Sequence, residues 1–422
     1  MKNVLILSYY FPPMGLGGVQ RPLKFAKYLP RFSWRPIIVT VKDVRYHGHD
    51  DSLLQELPSD ALVYRTGSYD PLRISHRLGT KGSPSANPAL GRSLARWLLF
   101  PDNQVGWVPF AVKCALDIVR DHQIDALFST FPPASAHLAA SIVKRSTGLP
   151  WVADFRDSWL GGEFNQPPTN WHHHLMKRTG RKLVRTADHL VSVTDHIATQ
   201  LSEMRGTDTG ISVITNGYDP EDFQSRCEDR DDGKFVLTYC GSMTRDRDPV
   251  PLFRGLRHLL DRRPDLAELI SIRLIGTSIG LDVAGLISYY RLHKTVSVIG
   301  YLAHRKAVSF LAESDAVILL VTSPEEQSKC VPTGKFYECA ATGLPILCLS
   351  SDTGSPSWIV ENGRGVVLSP GDTMGIGRAV EMMYERHSGD DVIEFDETQI
   401  AQFSRLGLTE KLGRILDDVS TR

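Results

Sequence analysis

"NVLILSYYFPPMGLGGVQRPLKFAKYL", residues 3–29, decides the fold. An apolar run of strand length is followed by a turn holding Pro12, Pro13, Gly15, Gly17 and Gly18, and then by a helix-like run from Arg21. Strand, turn and helix in that order open a parallel α/β sheet, because parallel strands need a crossover between them. The turn is longer and richer in glycine than a crossover requires. Absent side chains at Gly15, Gly17 and Gly18 would let backbone N–H groups reach a phosphate or a sugar, although a plain glycine-rich turn accounts for them equally. The spacing is not G-x-G-x-x-G, so the dinucleotide fingerprint fails.

Outward from that stretch the same alternation continues. Strand-like runs appear at "PIIVTV", "ALVYRT", "DALFST", "WVADF", "HLVSVT" and "ISVITN", and a second series begins at "KFVLTYCGS" and runs through "SIRLIGTS", "TVSVIGY", "AVILLVTS", "LPILCLS" and "RGVVLS". Helix-length amphipathic segments separate them. At 422 residues the chain exceeds the usual size of one core, so two domains are expected. The polar, acidic stretch "YDPEDFQSRCEDRDDGK" between the two series is the linker candidate. This predicts an α/β protein of two Rossmann-like, doubly wound parallel-sheet domains, 1–217 and 218–398. Residues 399–422 are expected to form a C-terminal helix that returns to the first domain, a placement that rests in part on the resemblance given below. In that last segment Ile400, Phe403, Leu406, Leu412 and Leu416 have helical spacing, with Gly407 as a candidate kink. Two insertions interrupt the first domain, "RYHGHDDSLLQELPSD" and a stretch centred on "RLGTKGSPSANPALG".

Composition excludes several classes. The 48 basic side chains balance 48 acidic ones, which argues against nucleic acid as a partner. Cys114, Cys227, Cys240, Cys330, Cys339 and Cys348 are scattered without a C-x-x-C pair, as suits a reducing cytoplasm. The apolar run at the N-terminus is too short for a signal peptide, and no window reaches the ~20 apolar residues of a spanning helix. A cytoplasmic location is expected, with any membrane contact made from the surface of the inner face.

In doubly wound sheets ligands bind beyond the carboxyl ends of the strands. There the second half carries "PTGKFYECAATGLPIL", a turn followed by a helix start with Thr333, Gly334 and Lys335, and with Glu338 one turn on. Helix dipole, free N–H groups and one full charge together suit a diphosphate. A Lys–Glu pair at i, i+3 also suits a solvated surface.

At these residues the chain resembles the nucleotide-sugar-dependent glycosyltransferases of the two-domain GT-B fold, close to the retaining glycosyltransferase family four. The resemblance spans nearly the whole chain: "YYFPPMGLGGVQR", "STFPPASAHLAA", "WVADFRDSW", "ITNGYDPEDF", "YCGSMTRDRDP" and "PTGKFYECAATGLPIL" follow in order. It implies two domains facing across a cleft. The implied reaction moves a sugar from a nucleoside diphosphate donor, a UDP-sugar in preference to a GDP-sugar, to a hydroxyl with retention of configuration. No metal or other cofactor is expected. A surface glycan or lipid-linked acceptor is implied, in polysaccharide or glycolipid biosynthesis.

Carried over by position, the resemblance puts Gly17 and Gly18 beside the diphosphate and acceptor, with Gly241, Thr333 and Gly334 on the donor. Arg247 and Lys335 neutralise the leaving diphosphate, Glu338 holds the ribose, and Tyr301 lies at the nucleobase or packs. His137 contacts the transferred sugar or orients the acceptor hydroxyl. In "DFRD", Asp154 and Arg156 belong to the acceptor side, and Asp157 is a candidate proton acceptor; Arg156 and one aspartate alternatively pair and fix the loop. Two departures stand out. Cys330 occupies the first glutamate position of the family's E-x7-E pattern, and Ser242 stands where many relatives have arginine, leaving Arg247, helped by Arg245, beside Lys335. These departures keep open a catalytically silent glycan- or nucleotide-binding subunit, beside an epimerase or hydrolase on the same fold.

Four other patterns have plain explanations. Asp246 and Asp248 of "DRD" match a metal motif, but at a helix start Asp248 is expected to cap. The consecutive His172, His173 and His174 point around a helix rather than at one ion. Lys177, Arg178, Arg181, Lys182 and Arg185 form a basic run without an acid, either a solvated face or a contact for anionic membrane. Trp97, Leu98, Leu99 and Phe100 are expected to pack in the core, with membrane contact as the alternative.

Overall fold

In the computed structural model all residues are described except 16, 43, 45, 47, 72, 75–98, 161–167, 224–232, 322–333, 352–356, 390–397 and 422. The chain divides into two compact units: Met1–Asn216 with Arg405–Arg422, and Gly217–Ser404.

The first unit holds β1 (Lys2–Leu7), β2 (Trp34–Val41), β3 (Leu62–Thr66), β4 (Ala126–Phe131), β5 (Trp151–Phe155), β6 (His189–Ser192) and β7 (Ile211–Val213). They form one sheet in the order β3-β2-β1-β4-β5-β6-β7, and every pairing is parallel. The order reverses between β1 and β4, where Leu5 pairs with both Ile37 and Leu127. That switch point is where a doubly wound sheet opens a crevice for ligands. Both faces are covered, so β1 reads as a continuous apolar run: Leu5 and Leu7 enter one core with Trp107 and Trp151, while Val4 and Ile6 enter another. Helix Arg405–Ser420 closes that second core with Leu408, Leu412, Ile415 and Leu416 against Trp34 and Phe128. The expected kink at Gly407 is not there. The chain breaks at 402–404, between helices Thr398–Ala401 and Arg405–Ser420, and Gly407 lies within the first turn of the second.

The second unit repeats the plan with β8 (Phe235–Cys240), β9 (Ile270–Ile275), β10 (Val296–Gly300), β11 (Ala316–Val321), β12 (Ile346–Ser350) and β13 (Gly365–Leu368). The order is β10-β9-β8-β11-β12-β13, again parallel, with the reversal between β8 and β11. Helices Val250–Arg262 and Thr373–Ser388 cover one face through Leu252, Leu256, Ile376 and Val380. Leu311, Cys339 and Ile359 cover the other, over Val317, Leu319 and Cys348. No helix among the described residues is long and apolar enough to cross a membrane.

Candidate functional site

At the carboxyl ends of β8, β9 and β10 the second unit brings glycine backbone together. Gly241 follows β8 and donates its N–H to Ile275 O (2.7 Å), and Gly276 follows β9 and donates to Gly300 O (2.8 Å). A Cβ on Gly276, where φ is +134°, would lie 2.1 Å from Gly241 O. Backbone therefore stacks on backbone with no room for side chains. Into this glycine-lined shelf reaches Lys335, from the first turn of helix Gly334–Ala341. Its Nζ donates to Cys240 O (2.9 Å) and lies 5.4 Å from the centre of the Tyr239 ring. Burial of the amine, reinforced by the Arg247 charge against the opposing pull of Cys240, lowers its pKa to about 8.

Arg247 stands in a short 3-10 turn, Arg245–Arg247, half-buried, and its charge is felt at both Lys335 and Tyr239. Ser242 contributes its carbonyl, which accepts from Tyr239 Oη (2.9 Å). Asp248 accepts from Val250 N (2.9 Å), a bond across the Pro249 that stands at the N-cap, so the expected cap lies one residue before the capping position. Glu338 is half-buried, with Oε1 4.0 Å from His304 Nε2, and the same nitrogen is 3.1 Å from Asp222 Oδ2. Tyr301 follows β10 and is half-buried, and Gly334 opens its helix with open space around its Cα. Thr333 and Cys330 lie outside the described residues.

In the first unit Gly17 and Gly18 begin helix Gly17–Tyr28, directly after β1 and its turn. Arg156 at the end of β5 donates to the carbonyls of Phe131 (3.1 Å), Pro132 and Gly18. It is a brace for the glycine turn rather than a free cation on the acceptor side. Asp154 is a second correction. It is fully buried, receives Arg21 Nη2 on Oδ1 (2.7 Å) and Thr130 Oγ1 on Oδ2 (2.7 Å), and has no exposed surface for an acceptor. A carboxylate taken out of water needs such partners, and Arg21 supplies two-pronged ones. Arg21 also donates to Thr215 O (2.7 Å) and Ile214 O (2.8 Å), so one ion pair ties the first helix to β5 and to the segment after β7. Asp157 is half-buried within reach of the Arg156 charge.

His137 also differs from expectation. Its ring is buried among Phe155 (4.6 Å between centres), Trp151 (5.8 Å) and Phe131 (6.0 Å), and Nδ1 lies 2.8 Å from Ser129 Oγ, which accepts from Trp151 Nε1 (2.8 Å). Burial holds it neutral, with a pKa lowered to about 3. The structure gives it a wall of the core beneath the "FPP" turn, with no surface open to a sugar. His172 is buried while His173 and His174 are exposed, so the three do not converge.

Sequence reasoning missed Gly276, His304, Asp222 and Arg21. The glycines had a signal: "YCG", "LIG" and "VIG" each end a strand with glycine. It also missed Asp102, which accepts from Ser135 N (2.9 Å) and Ser135 Oγ (2.5 Å) at the start of helix Ala134–Thr147, its pKa raised by burial.

Comparison with known proteins agrees with this architecture. A curated relative, D-inositol 3-phosphate glycosyltransferase 2 of Catenulispora acidiphila, is 25% identical over 206 residues, 46% of this chain and 47% of that protein. The match therefore spans about half the length of the relative. The crystal structure of Anabaena HepE in complex with UDP and glucose superposes with a TM-score of 0.68 at 16% identity, over 99% of this chain and 100% of that one. A putative UDP-N-acetylglucosamine 2-epimerase from Listeria monocytogenes gives 0.55 at 15% identity, over 100% and 96%. Residues 62–222 match the Glycosyltransferase Family 4 model, and the chain as a whole has the two-unit GT-B glycosyltransferase fold.

Proposed function

We propose that the protein is a glycosyltransferase that moves a sugar from a nucleoside diphosphate donor, a UDP-sugar, to a hydroxyl on a glycan or lipid-linked acceptor, with retention of configuration. The observation that carries this reading is the Lys335 amine packed against the Gly241 backbone at the strand ends of the second unit. A diphosphate leaving group gathers negative charge as the sugar becomes oxocarbenium-like, and a preorganised cation in a dry, backbone-lined site lowers that barrier most. Lys335 and Arg247 supply the charge, and the N–H groups of helix Gly334–Ala341 add to it. Glu338, steadied by His304, would take the ribose hydroxyls. The complex of HepE with UDP and glucose on the same fold supports the choice of donor.

Retention by double displacement would require a carboxylate nucleophile with an acid partner about 5 Å away. Asp154 is unsuited to that role, being sealed by Arg21 and Thr130. Same-face attack, with the departing phosphate or Asp157 taking the acceptor proton, is the route we favour. A place in surface polysaccharide or glycolipid biosynthesis follows from the class of acceptor.

A thermal-shift screen across nucleoside diphosphate sugars tests the donor. A cognate donor at 100 times its Kd adds about 2.7 kcal/mol of stability by mass action. If none raises Tm, the reading fails. The epimerase neighbour motivates one rival. Incubation with the donor alone, followed by NMR of the sugar, separates them: an epimerase interconverts the sugar unaided, whereas a transferase needs an acceptor.

A further inference from the structure

Helix Asn170–Thr186 has a fixed inner face. Trp159 Nε1 donates to Met176 O (2.9 Å), and a Cβ on Gly180 would come 2.2 Å from that same nitrogen, so only glycine lets the helix lie this close. His172, Met176, Gly180, Leu183 and Val184 are buried beneath it. With rotation fixed, the outer face is fixed too. It presents Lys177, Arg178, Arg181, Lys182 and Arg185, all exposed, and none of these five side chains forms a hydrogen bond or ion pair with another described residue. Helix geometry places these five within an arc of about 140°. Trp171, 67% exposed, falls in the same arc within the first turn of the helix.

Such a stripe is not neutral to the fold. Like charges recur at i, i+4 (177 and 181, 178 and 182, 181 and 185) and repel, and the helix contains no acid to offset them. Only Arg185, in the last turn, gains from the helix dipole. The whole chain balances 48 cations with 48 anions, so five unpaired cations on one helix are a local concentration rather than a basic protein's general character.

We propose that this helix lies on the surface of an anionic phospholipid bilayer. The cations meet phosphate headgroups, and Trp171 enters the interface, where an amphipathic ring is favoured. The row of cations with one aromatic and no apolar stripe makes a peripheral, salt-sensitive contact. The neutral overall charge disfavours nucleic acid as the polyanion.

Cosedimentation of the full chain with vesicles of phosphatidylcholine alone, and of phosphatidylcholine with phosphatidylglycerol, tests this. Binding is expected only to the anionic vesicles and is lost in high salt. Replacing Arg178→Gln, Arg181→Gln and Lys182→Gln together should lower the partition constant roughly 100-fold, at about a factor of five per cation. An unchanged Tm shows that the triple variant is folded; if it is not, the single variants Arg178→Gln and Arg181→Gln carry the test at about fivefold each. Quenching of tryptophan fluorescence by brominated lipid should fall in Trp171→Phe. Equal binding to both vesicle types, retention by heparin without vesicle binding, or quenching that survives Trp171→Phe would overturn the proposal.

Discussion

The amine of Lys335 occupies the volume that a side chain at Gly241 would fill: a Cβ built there would stand 1.3 Å from Nζ and 2.5 Å from Cε. The two positions are 94 residues apart in sequence, and each fixes what the other can be. Gly241→Ala must displace the amine from Cys240 O while leaving the cores over both sheet faces untouched. We expect a loss on the order of 100-fold in kcat/KM for sugar transfer, ~3 kcal/mol. Tm should also fall, by an amount corresponding to about 1 kcal/mol, because Gly241 holds φ at +157°. A Gly241→Ala enzyme of normal activity would show that the seat of Lys335 is irrelevant to transfer.

Lys335→Ala removes the charge itself and should cost about 3 kcal/mol of transition-state stabilisation, expressed in kcat. The pH dependence gives a finer test. The depressed pKa of about 8 means that the amine is cationic at neutral pH and neutral well above it. Affinity for UDP should therefore fall as pH rises through about 8, approaching tenfold per unit. Lys335→Arg keeps its charge and should flatten this profile. Calorimetric titration of UDP across that range measures both, and identical profiles would remove Lys335 from the phosphate site.

The central strands were legible because they are buried on both faces and announce themselves as apolar runs between turns, as in "NVLILS" and "AVILLV". The edge strands β3, β7, β10 and β13 are half-buried or exposed and were legible from β-branched and apolar residues between turn signals. Lys335 and Gly241 were legible as well, since they sit at strand and helix ends where chemistry is expected. What sequence order does not reveal is partner choice. Asp154 and Arg156 stand two residues apart, yet their side chains go to Arg21 and to three carbonyls respectively. Arg21 was hidden because a cation one turn into a helix reads as solvated; only packing of that helix on the sheet exposes the need for a counter-charge. His137 fell to the same cause, since a histidine near a helix start looks available until Phe131, Trp151 and Phe155 close around it.

The Arg21–Asp154 pair predicts a stability defect with little direct chemical consequence. Both side chains are almost wholly buried, so Asp154→Ala leaves a guanidinium without its counter-charge and should cost about 3–5 kcal/mol in urea unfolding. Replacing both partners with apolar residues, Arg21→Met with Asp154→Leu, should recover part of that loss, because neither charge is then stranded. If Asp154→Ala keeps full stability but loses transfer, the carboxylate acts in the reaction after all.

His137 makes the opposite kind of signature, one written in pH. Its folded pKa of about 3 lies below its ordinary 6.5, so between these values the unfolded chain binds a proton that the folded chain does not. Stability attributable to this ring is complete above the ordinary value and is lost as pH falls through the window. The slope of unfolding free energy against pH should approach one proton there, about 1.4 kcal/mol per unit, and His137→Phe should remove that slope. Ser129 keeps its bond from Trp151 Nε1 in that variant, so the aromatic wall survives and transfer to acceptor should continue. Matching slopes in the two proteins would mean that the imidazole titrates normally and has access to water, and a stable His137→Phe protein without activity would return the ring to the sugar.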